Sequence, residues 1–146
     1  MPRPSSAQAR AGLAYERKAA KALSASGLGL VSHNPWFYYE DDNGPGNAIP
    51  DIVLNELTRE LTAIFGRVCI VAECKLTYRP EAIVKLRQLY CPIVARATGR
   101  PIASIFPLVI SKHLTSSAPV PAYTIAGALS QREPLLHWLG KGPIGV

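Results

Sequence analysis

The stretch VCIVAECKL at residues 68–76 decides the fold, because a nearly continuous apolar run ends abruptly at the polar triplet ECK. Such a run is typical of a central strand that is covered on both faces. Pro80 then predicts the start of a helix that continues through residues 80–98. A second apolar strand is predicted at 104–111. Strand, helix and strand in this order predict an α/β sandwich with a right-handed crossover.

Two amphipathic helices are predicted to cover the sheet. The first occupies residues 6–26, where alanines favour the helix and Gly27 provides a stop. Its core-facing residues are predicted to be Leu13, Ala20 and Leu23. In the 80–98 helix, Pro92 predicts a kink, because proline cannot donate a backbone hydrogen bond. The buried stripe of this helix is predicted at Ile83, Leu86, Tyr90 and Val94.

The segment between the first helix and the central strand predicts two further strands, at 36–40 and 48–55. They are joined by DDNGPGN at 41–47, where Asn-Gly is a strong turn signal and the glycines and proline oppose regular structure. The acidic residues at 40–42 suggest a calcium loop, but the alternating ligand positions are missing, which favours a solvated turn. Residues 56–66 are ambiguous and are compatible with a short helix.

The element order α-β-β-β-α-β predicts an α/β fold with a mixed central sheet flanked by helices. No linker divides the chain, so residues 1–146 are expected to form one domain with its core at about 10–112. A weaker strand at 122–125 and a short helix at 134–139 are predicted in the region 120–140.

Composition excludes several classes of protein. Hydrophobic residues make up 48% of the chain and charged residues 18%, which excludes a disordered chain. No apolar run approaches the roughly 18 residues needed to cross a bilayer, and the N-terminus lacks the apolar segment of a secretory signal. Cys69, Cys74 and Cys91 lack metal-type spacing and are expected to be reduced and mostly buried. We therefore expect a cytoplasmic domain with no membrane partner.

Charge is segregated along the chain. The 146 residues hold 16 Lys and Arg against 10 Asp and Glu, a formal net charge of +6. Basic groups concentrate in 1–33 and in 67–112, and acidic groups concentrate between them. Basic flanks around an acidic centre suit a polyanionic substrate that meets a cation site. A solvated surface with a modest basic bias explains the same pattern equally well.

The chemically informative residues are Pro50-Asp51 and the triplet Glu73-Cys74-Lys75. Residues two apart on a strand share a face, so Glu73 and Lys75 are expected to project together while Cys74 points away. Asp51 lies on a strand that can pair with this one. Two carboxylates that converge with backbone carbonyls form an oxygen-rich site for Mg²⁺ or Mn²⁺, and the predicted metal site includes Cys74. Lys75 is expected to orient or help deprotonate a water that attacks a phosphodiester.

These motifs resemble the PD-(D/E)XK nuclease superfamily, and GLAYE at 12–16 resembles the helix-borne acid of its junction-resolvase and repair-nuclease branches. The resemblance implies a restriction-endonuclease-like core over about 10–112. It implies that Asp51 and Glu73 bind the metal, that Lys75 assists the attacking water, and that Glu16 completes the metal's surroundings. Gln88 is similar to a glutamine that several branches place near the site. Cys74 departs from the aliphatic residue that many relatives have there.

The resemblance implies a metal-dependent DNA endonuclease that uses Mg²⁺ or Mn²⁺. A structure-selective role in recombination or repair, like that of a Holliday junction resolvase, is favoured because the sequence leaves no room for a separate sequence-reading domain. A homodimer is expected, since cutting two strands takes two sites related by a two-fold axis. The alternatives are a restriction-like or RNA-directed nuclease, and a nuclease-fold module that binds nucleic acid without cutting. The residues expected to contact nucleic acid are Arg17, Lys18, Lys21, Arg79, Lys85, Arg87 and Gln88.

Other chemistries have less support. The three histidines are scattered without ligand spacing, which disfavours a zinc site. Cys91 is favoured as a buried structural thiol over a nucleophile. The aromatic run at 36–39 offers side chains that can stack on bases, but alternation along a strand favours core packing for two of the four.

Overall fold

The computed structural model describes residues 7–25, 27, 29–59, 62–63, 66–77, 79–113 and 122–123. The helices are α1 (Ala7–Ala25), α2 (Pro80–Lys85) and α3 (Cys91–Thr98), with a π-helical turn at Leu86–Tyr90 and a 3₁₀ turn at Ile102–Ser104. The strands are β1 (Gly29–His33), β2 (Phe37–Asp41), β3 (Gly44–Ala48), β4 (Ile52–Leu57), β5 (Cys69–Thr77), β6 (Ile105–His113) and β7 (Ala122–Tyr123).

Five strands form a mixed sheet in the order β1-β4-β5-β6-β7. β1, β4 and β5 pair antiparallel, whereas β5, β6 and β7 pair parallel. The predicted central strand is therefore confirmed, because β5 has neighbours on both sides. The register sets Ile52 opposite Ala72, which brings the residue before β4 level with the polar triplet of β5.

Helices cover both faces of this sheet, so the predicted α/β class is confirmed. α1 buries Ala20 and Leu23 against the side chains of Ile70 and Ala72 on β5. The helices after β5 cover the opposite face, and Val71 belongs to the core on that side. The predicted stripe of Ile83, Leu86, Tyr90 and Val94 is buried in this second core, as expected.

The prediction that Leu13 faces the core is wrong. Its side chain is 52% exposed, whereas Ala20 and Leu23 are buried as predicted. No residue from Ala7 to Ala14 is buried, so the first two turns of α1 extend beyond the packed layer. Helical periodicity predicts which residues share a face, but it does not predict how far along the helix the partner surface reaches.

Residues 41–55 were predicted as a turn at 41–47 followed by a strand at 48–55. Instead, β2 and β3 form a hairpin, and β4 is a separate strand. β2 pairs antiparallel with β3, and Asp41 pairs with Gly44 across a two-residue turn. The sequence GPGN lies within β3, because the ring of Tyr39 covers Gly46 so closely that a Cβ there would approach its Cζ to 2.6 Å. Strand pairing ends at Ala48, before Pro50.

The helical region after β5 runs through residues 80–98 as predicted, and it contains a π-helical turn just before Pro92. A five-residue π-helical turn directly precedes Cys91 and the proline. Pro92 removes one backbone donor and its ring crowds the preceding turn, which a wider turn accommodates. Gly99 ends α3 in the left-handed conformation, with φ of 70°.

β1 is a strand that the sequence analysis did not predict, because Gly29, Ser32 and His33 give it little apolar alternation. At the other edge, β7 agrees in position with the weaker strand predicted at 122–125. The helix predicted at 134–139 lies outside the described residues, as do residues 60, 61, 64 and 65 of the ambiguous segment 56–66. The first two residues of that segment belong to β4 and not to a helix. No described helix combines the length and apolar character that a membrane span requires.

Candidate active site

Asp51 and Glu73 meet where β4 begins beside the polar end of β5. The Cys74 backbone N–H donates a 2.8 Å hydrogen bond to Oδ2 of Asp51. In return, the Asp51 backbone N–H hydrogen-bonds to the Glu73 carboxylate. This reciprocal arrangement fixes the two acids relative to each other, and the pairing of β4 with β5 that brings them together is antiparallel.

Glu73 is the most deeply buried acid of the described chain. Its side chain is 3% exposed, and its Oε1 is buried without a hydrogen-bond partner. Burial first, and repulsion from Asp51 second, raise the pKa of Glu73 to about 7 against the pull of Lys85 and Lys75. A buried carboxylate with an unsatisfied oxygen is costly unless a proton or a cation reaches it.

Asp51 lies between two other acids. Burial raises its pKa, the hydrogen bond from the Cys74 N–H lowers it, and the negative charge of Glu16 raises it again. Asp51 also repels Glu73. Its negative charge therefore interacts unfavourably with both of the other acids, Glu16 and Glu73. Negative charge accumulates here in a partly desolvated place, which favours a positively charged ligand.

Two lysines balance these acids. Lys75 shares the sheet face of Glu73 by strand alternation and is half-buried. Lys85, on α2, lowers the pKa of both Asp51 and Glu73. A hydrogen bond with the Tyr90 side chain raises the pKa of Lys85, and its Nζ lies 4.9 Å from the centre of the Tyr90 ring. Lys85 was predicted among the basic residues that flank the acidic site, and its interaction with Tyr90 was not predicted.

Glu16 reaches the site from the other face of the sheet and is paired with His33. Glu16 Oε1 lies 2.9 Å from His33 Nε2, and the side chains are 12% and 34% exposed. Asn34 follows with φ of 52°, and its backbone N–H donates a 2.8 Å hydrogen bond to the Asp51 carbonyl. The role of His33 was missed, because a partner 17 residues away leaves no local spacing signal.

The remaining predicted residues lie around this centre. Cys74 is half-buried towards the α1 side, and burial raises the pKa of its thiol well above the ordinary value. Cys69, Cys74 and Cys91 are free thiols, as predicted. The residues predicted to contact nucleic acid are all exposed. They are Arg17, Lys18, Lys21, Arg79, Lys85, Arg87 and Gln88.

The aromatic run next to the site divides as the alternation predicts. Phe37 and Tyr39 pack against the second core, whereas Trp36 is 69% exposed and Tyr38 is 64% exposed. The exposed pair lies at the base of the hairpin, close in sequence to Asn34 and its hydrogen bond with Asp51. Both side chains are open to solvent.

The donor set suits a hard divalent cation. Asp51 and Glu73 offer carboxylate oxygens, and Glu73 Oε1 has no other partner in this structure. Within the described ranges, no three or more His, Cys, Asp and Glu side chains form a ready metal-binding group. Mg²⁺ is commonly held by one or two carboxylates, with waters and substrate phosphates completing its shell, so two acids fit this ion. Glu16 and Cys74 as further members of the ligand set stay predictions.

Comparison of the chain with family models, with curated proteins and with solved structures finds no match. The chemistry of the site is therefore inferred from its own residues.

Proposed function

We propose that this protein is a metal-dependent endonuclease that hydrolyses phosphodiester bonds of DNA. The observation that carries the proposal is the carboxylate of Glu73, which is buried, repelled by Asp51 and left with one unbonded oxygen. Two lysines stand beside the same acids. Carboxylates for a cation next to ammonium groups for a phosphate are the components of metal-assisted phosphodiester hydrolysis.

In the proposed mechanism, Asp51 and Glu73 would hold Mg²⁺ or Mn²⁺, which would supply charge stabilisation for the phosphate and lower the pKa of a water. The Cys74 N–H keeps the Asp51 carboxylate in one orientation. Lys75, on the face of Glu73, orients the attacking water. Lys85 places a second positive charge near both acids, where it can stabilise negative charge that develops on the phosphate.

DNA is proposed as the substrate because exposed basic side chains flank the acids. Arg17 and Lys18 lie on the helix that carries Glu16, and Arg79 lies between β5 and α2. Contacts from such groups to phosphates carry no sequence information, so the shape of the nucleic acid is what these contacts can select. We therefore favour branched DNA as the preferred substrate and a homodimer as the active form, since two cuts take two sites.

The test compares a supercoiled plasmid, a linear duplex, a single strand and a synthetic four-way junction, each with Mg²⁺, with Mn²⁺ or with EDTA. The matched variants are Glu73→Gln in the site and Glu81→Gln, an exposed acid at the start of α2. We expect cleavage only with metal. Glu73→Gln should cut at least about 10³-fold more slowly, because the developing charge loses its stabilisation. Glu81→Gln should cut like the wild type.

Full activity of Glu73→Gln, or equal cleavage in EDTA, would contradict the proposal. Tight binding of the junction by the wild type with no cleavage in either metal would identify a binding module instead. Faster cleavage of the junction than of the linear duplex would support the structure-selective role. Equal cleavage rates on both substrates would contradict that role.

A further inference from the structure

Two arginines meet at the end of β5 that lies away from the acids. Arg67 stands two residues before β5, and Arg100 directly follows the glycine that ends α3. Both side chains line two adjoining cavities of about 210 and 300 Å³. Cys69 and Glu73 are separated by four residues of β5, or about 13 Å at 3.3 Å per residue, so these cavities are distinct from the acidic site.

Arg100 is held in place by the end of α3. Its backbone N–H donates a 3.0 Å hydrogen bond to the Ala95 carbonyl, and the Gly99 N–H donates to the Arg96 carbonyl at 3.4 Å. This pair of bonds around a left-handed glycine is the Schellman arrangement, which fixes the backbone at Arg100. The Arg100 side chain therefore lines the cavity from a backbone position that these hydrogen bonds fix.

The guanidinium of Arg100 is incompletely satisfied. Its Nη1 is buried and has no hydrogen-bond partner. Neither Arg100 nor Arg67 forms an ion pair with Glu56, which also lines the smaller cavity, or with another carboxylate of the described residues. A guanidinium carries five N–H donors and stays charged, so an unpaired buried one is costly.

The positive charge of Arg100 also reaches the core. Burial raises the pKa of the Cys69 thiol to about 11, and the charge of Arg100 acts against this rise. The threonines of the cavities do not compete as donors, because Thr62 and Thr98 donate their hydroxyls to backbone carbonyls at 3.3 and 2.7 Å. Among the described lining residues, the arginines are therefore the charged donors that a ligand would meet, beside the amide of Asn55, which donates to Ser32 Oγ at 3.4 Å.

We propose that the Arg67–Arg100 cavities bind a phosphate group. Planar guanidinium forks match the oxygens of phosphate and bond to them in pairs, with charge assistance. The cavities are at or below the lower end of the range of about 300–1,000 Å³ that drug-sized ligands occupy, so a phosphate group suits them better than a large molecule. The group comes either from a free phosphate compound or from a nucleic-acid backbone. This inference does not rest on cleavage at the acidic site.

The first arm of the test measures thermal unfolding with inorganic phosphate against chloride of equal ionic strength. The variants are Arg67→Gln and Arg100→Gln, and the matched control is Arg96→Gln, an exposed arginine on the same helix that lines neither cavity. Phosphate should stabilise the wild type and the control. Each site variant should bind phosphate at least about tenfold more weakly, because a charge-assisted contact is lost. Arg67 is exposed, so Arg67→Gln keeps the test valid if Arg100→Gln fails to fold.

The second arm measures binding of a 20-base-pair duplex in EDTA, where no divalent ion is present. If inorganic phosphate does not bind but duplex affinity falls in Arg67→Gln relative to Arg96→Gln, the phosphate group belongs to the nucleic-acid backbone and the proposal stands. If phosphate binds and the duplex affinity is equal in the two variants, a free phosphate compound is the ligand. Equal behaviour of Arg67→Gln and Arg96→Gln with both probes would overturn the proposal.

Discussion

The two ends of β5 carry charges of opposite sign, a buried carboxylate at one end and a partly buried guanidinium at the other, and they differ in how each charge is accommodated. At one end, Glu73 Oε1 is buried without a partner, and at the other end the Nη1 of Arg100 is in the same situation. Glu73 can lose its charge by taking up a proton, because burial raises its pKa to about 7. Arg100 has no such alternative, since a guanidinium stays protonated in proteins.

This difference has a consequence for what each end requires. The acidic end has two resting forms, a protonated one and a cation-bound one, so it tolerates the absence of its ligand. The basic end has no neutral alternative, because arginine is not deprotonated in proteins. We therefore expect the acidic end to produce a pH dependence and the basic end to produce an anion dependence.

The first prediction concerns the free energy of unfolding of the metal-free protein as a function of pH. The pKa of Glu73 rises from an ordinary 4.5 to about 7 on folding. The folded state then binds the proton more tightly, so this contribution to stability is complete below about pH 4.5 and is lost as the pH rises through about 7. At 1.36 kcal/mol per pH unit between the two pKa values, the loss is about 3 kcal/mol.

Urea unfolding in EDTA between pH 4 and pH 8 measures this effect. Glu73→Gln should flatten the profile, because its amide does not titrate. Arg100→Gln should shift the whole profile without changing its slope. A slope that survives in Glu73→Gln would show that another group carries the pH dependence, and the contrast between the two ends would then fail.

The second prediction separates the two lysines of the acidic end. Lys75→Ala should lower the single-turnover cleavage rate by about 10²-fold at saturating Mg²⁺, because a group that positions the attacking water acts in the transition state. The Mg²⁺ concentration for half-maximal rate should change little. Lys85→Ala should lower the cleavage rate less, by about tenfold, since Lys85 is exposed and its ammonium group also hydrogen-bonds with Tyr90.

The reverse order of these effects would make Lys85 the lysine that positions the water. A loss in both variants that disappears at high Mg²⁺ would assign the lysines to charge balance around the acids and not to the reaction.

The centre of the fold was predictable because its signals are local and redundant. β5 and β6 are long apolar runs, and the helical region between them combines a proline start, an apolar stripe and a glycine stop. The edges were less predictable, because their structure depends on partners. β1 is defined by its pairing with β4, and β3 accommodates its glycines because Tyr39 covers one of them.

The acidic site shows the same contrast between local signals, which were predictable, and contacts with distant partners, which were not. Asp51 and Glu73 were predicted to converge, since antiparallel pairing of two adjacent strands brings them together. Lys85 was predicted to flank the acids, whereas His33 beside Glu16 was not predicted, because this contact joins different layers of the fold. Arg67 and Arg100 gave no signal at all, since two arginines 33 positions apart share no motif.

The third prediction concerns a charge at the acidic end that already has a partner within the chain. Glu16 and His33 approach to 2.9 Å, and His33 is 34% exposed, so solvent screens the pair. Such pairs contribute about 0–1 kcal/mol to stability. A double-mutant cycle with Glu16→Gln and His33→Gln should therefore give a coupling energy of about 0.5 kcal/mol in urea unfolding near pH 6.

Cleavage measurements on the same variants distinguish a structural pair from a part of the site. Glu16 repels Asp51 and His33 does not, so Glu16→Gln should change the Mg²⁺ dependence of cleavage while His33→Gln leaves it nearly unchanged. A coupling energy well above about 1 kcal/mol would mean that the pair is desolvated like the two ends of β5. An equal effect of both variants on the Mg²⁺ dependence would show that His33 acts on the site through Glu16, and the pair would then belong to the acidic end as a unit.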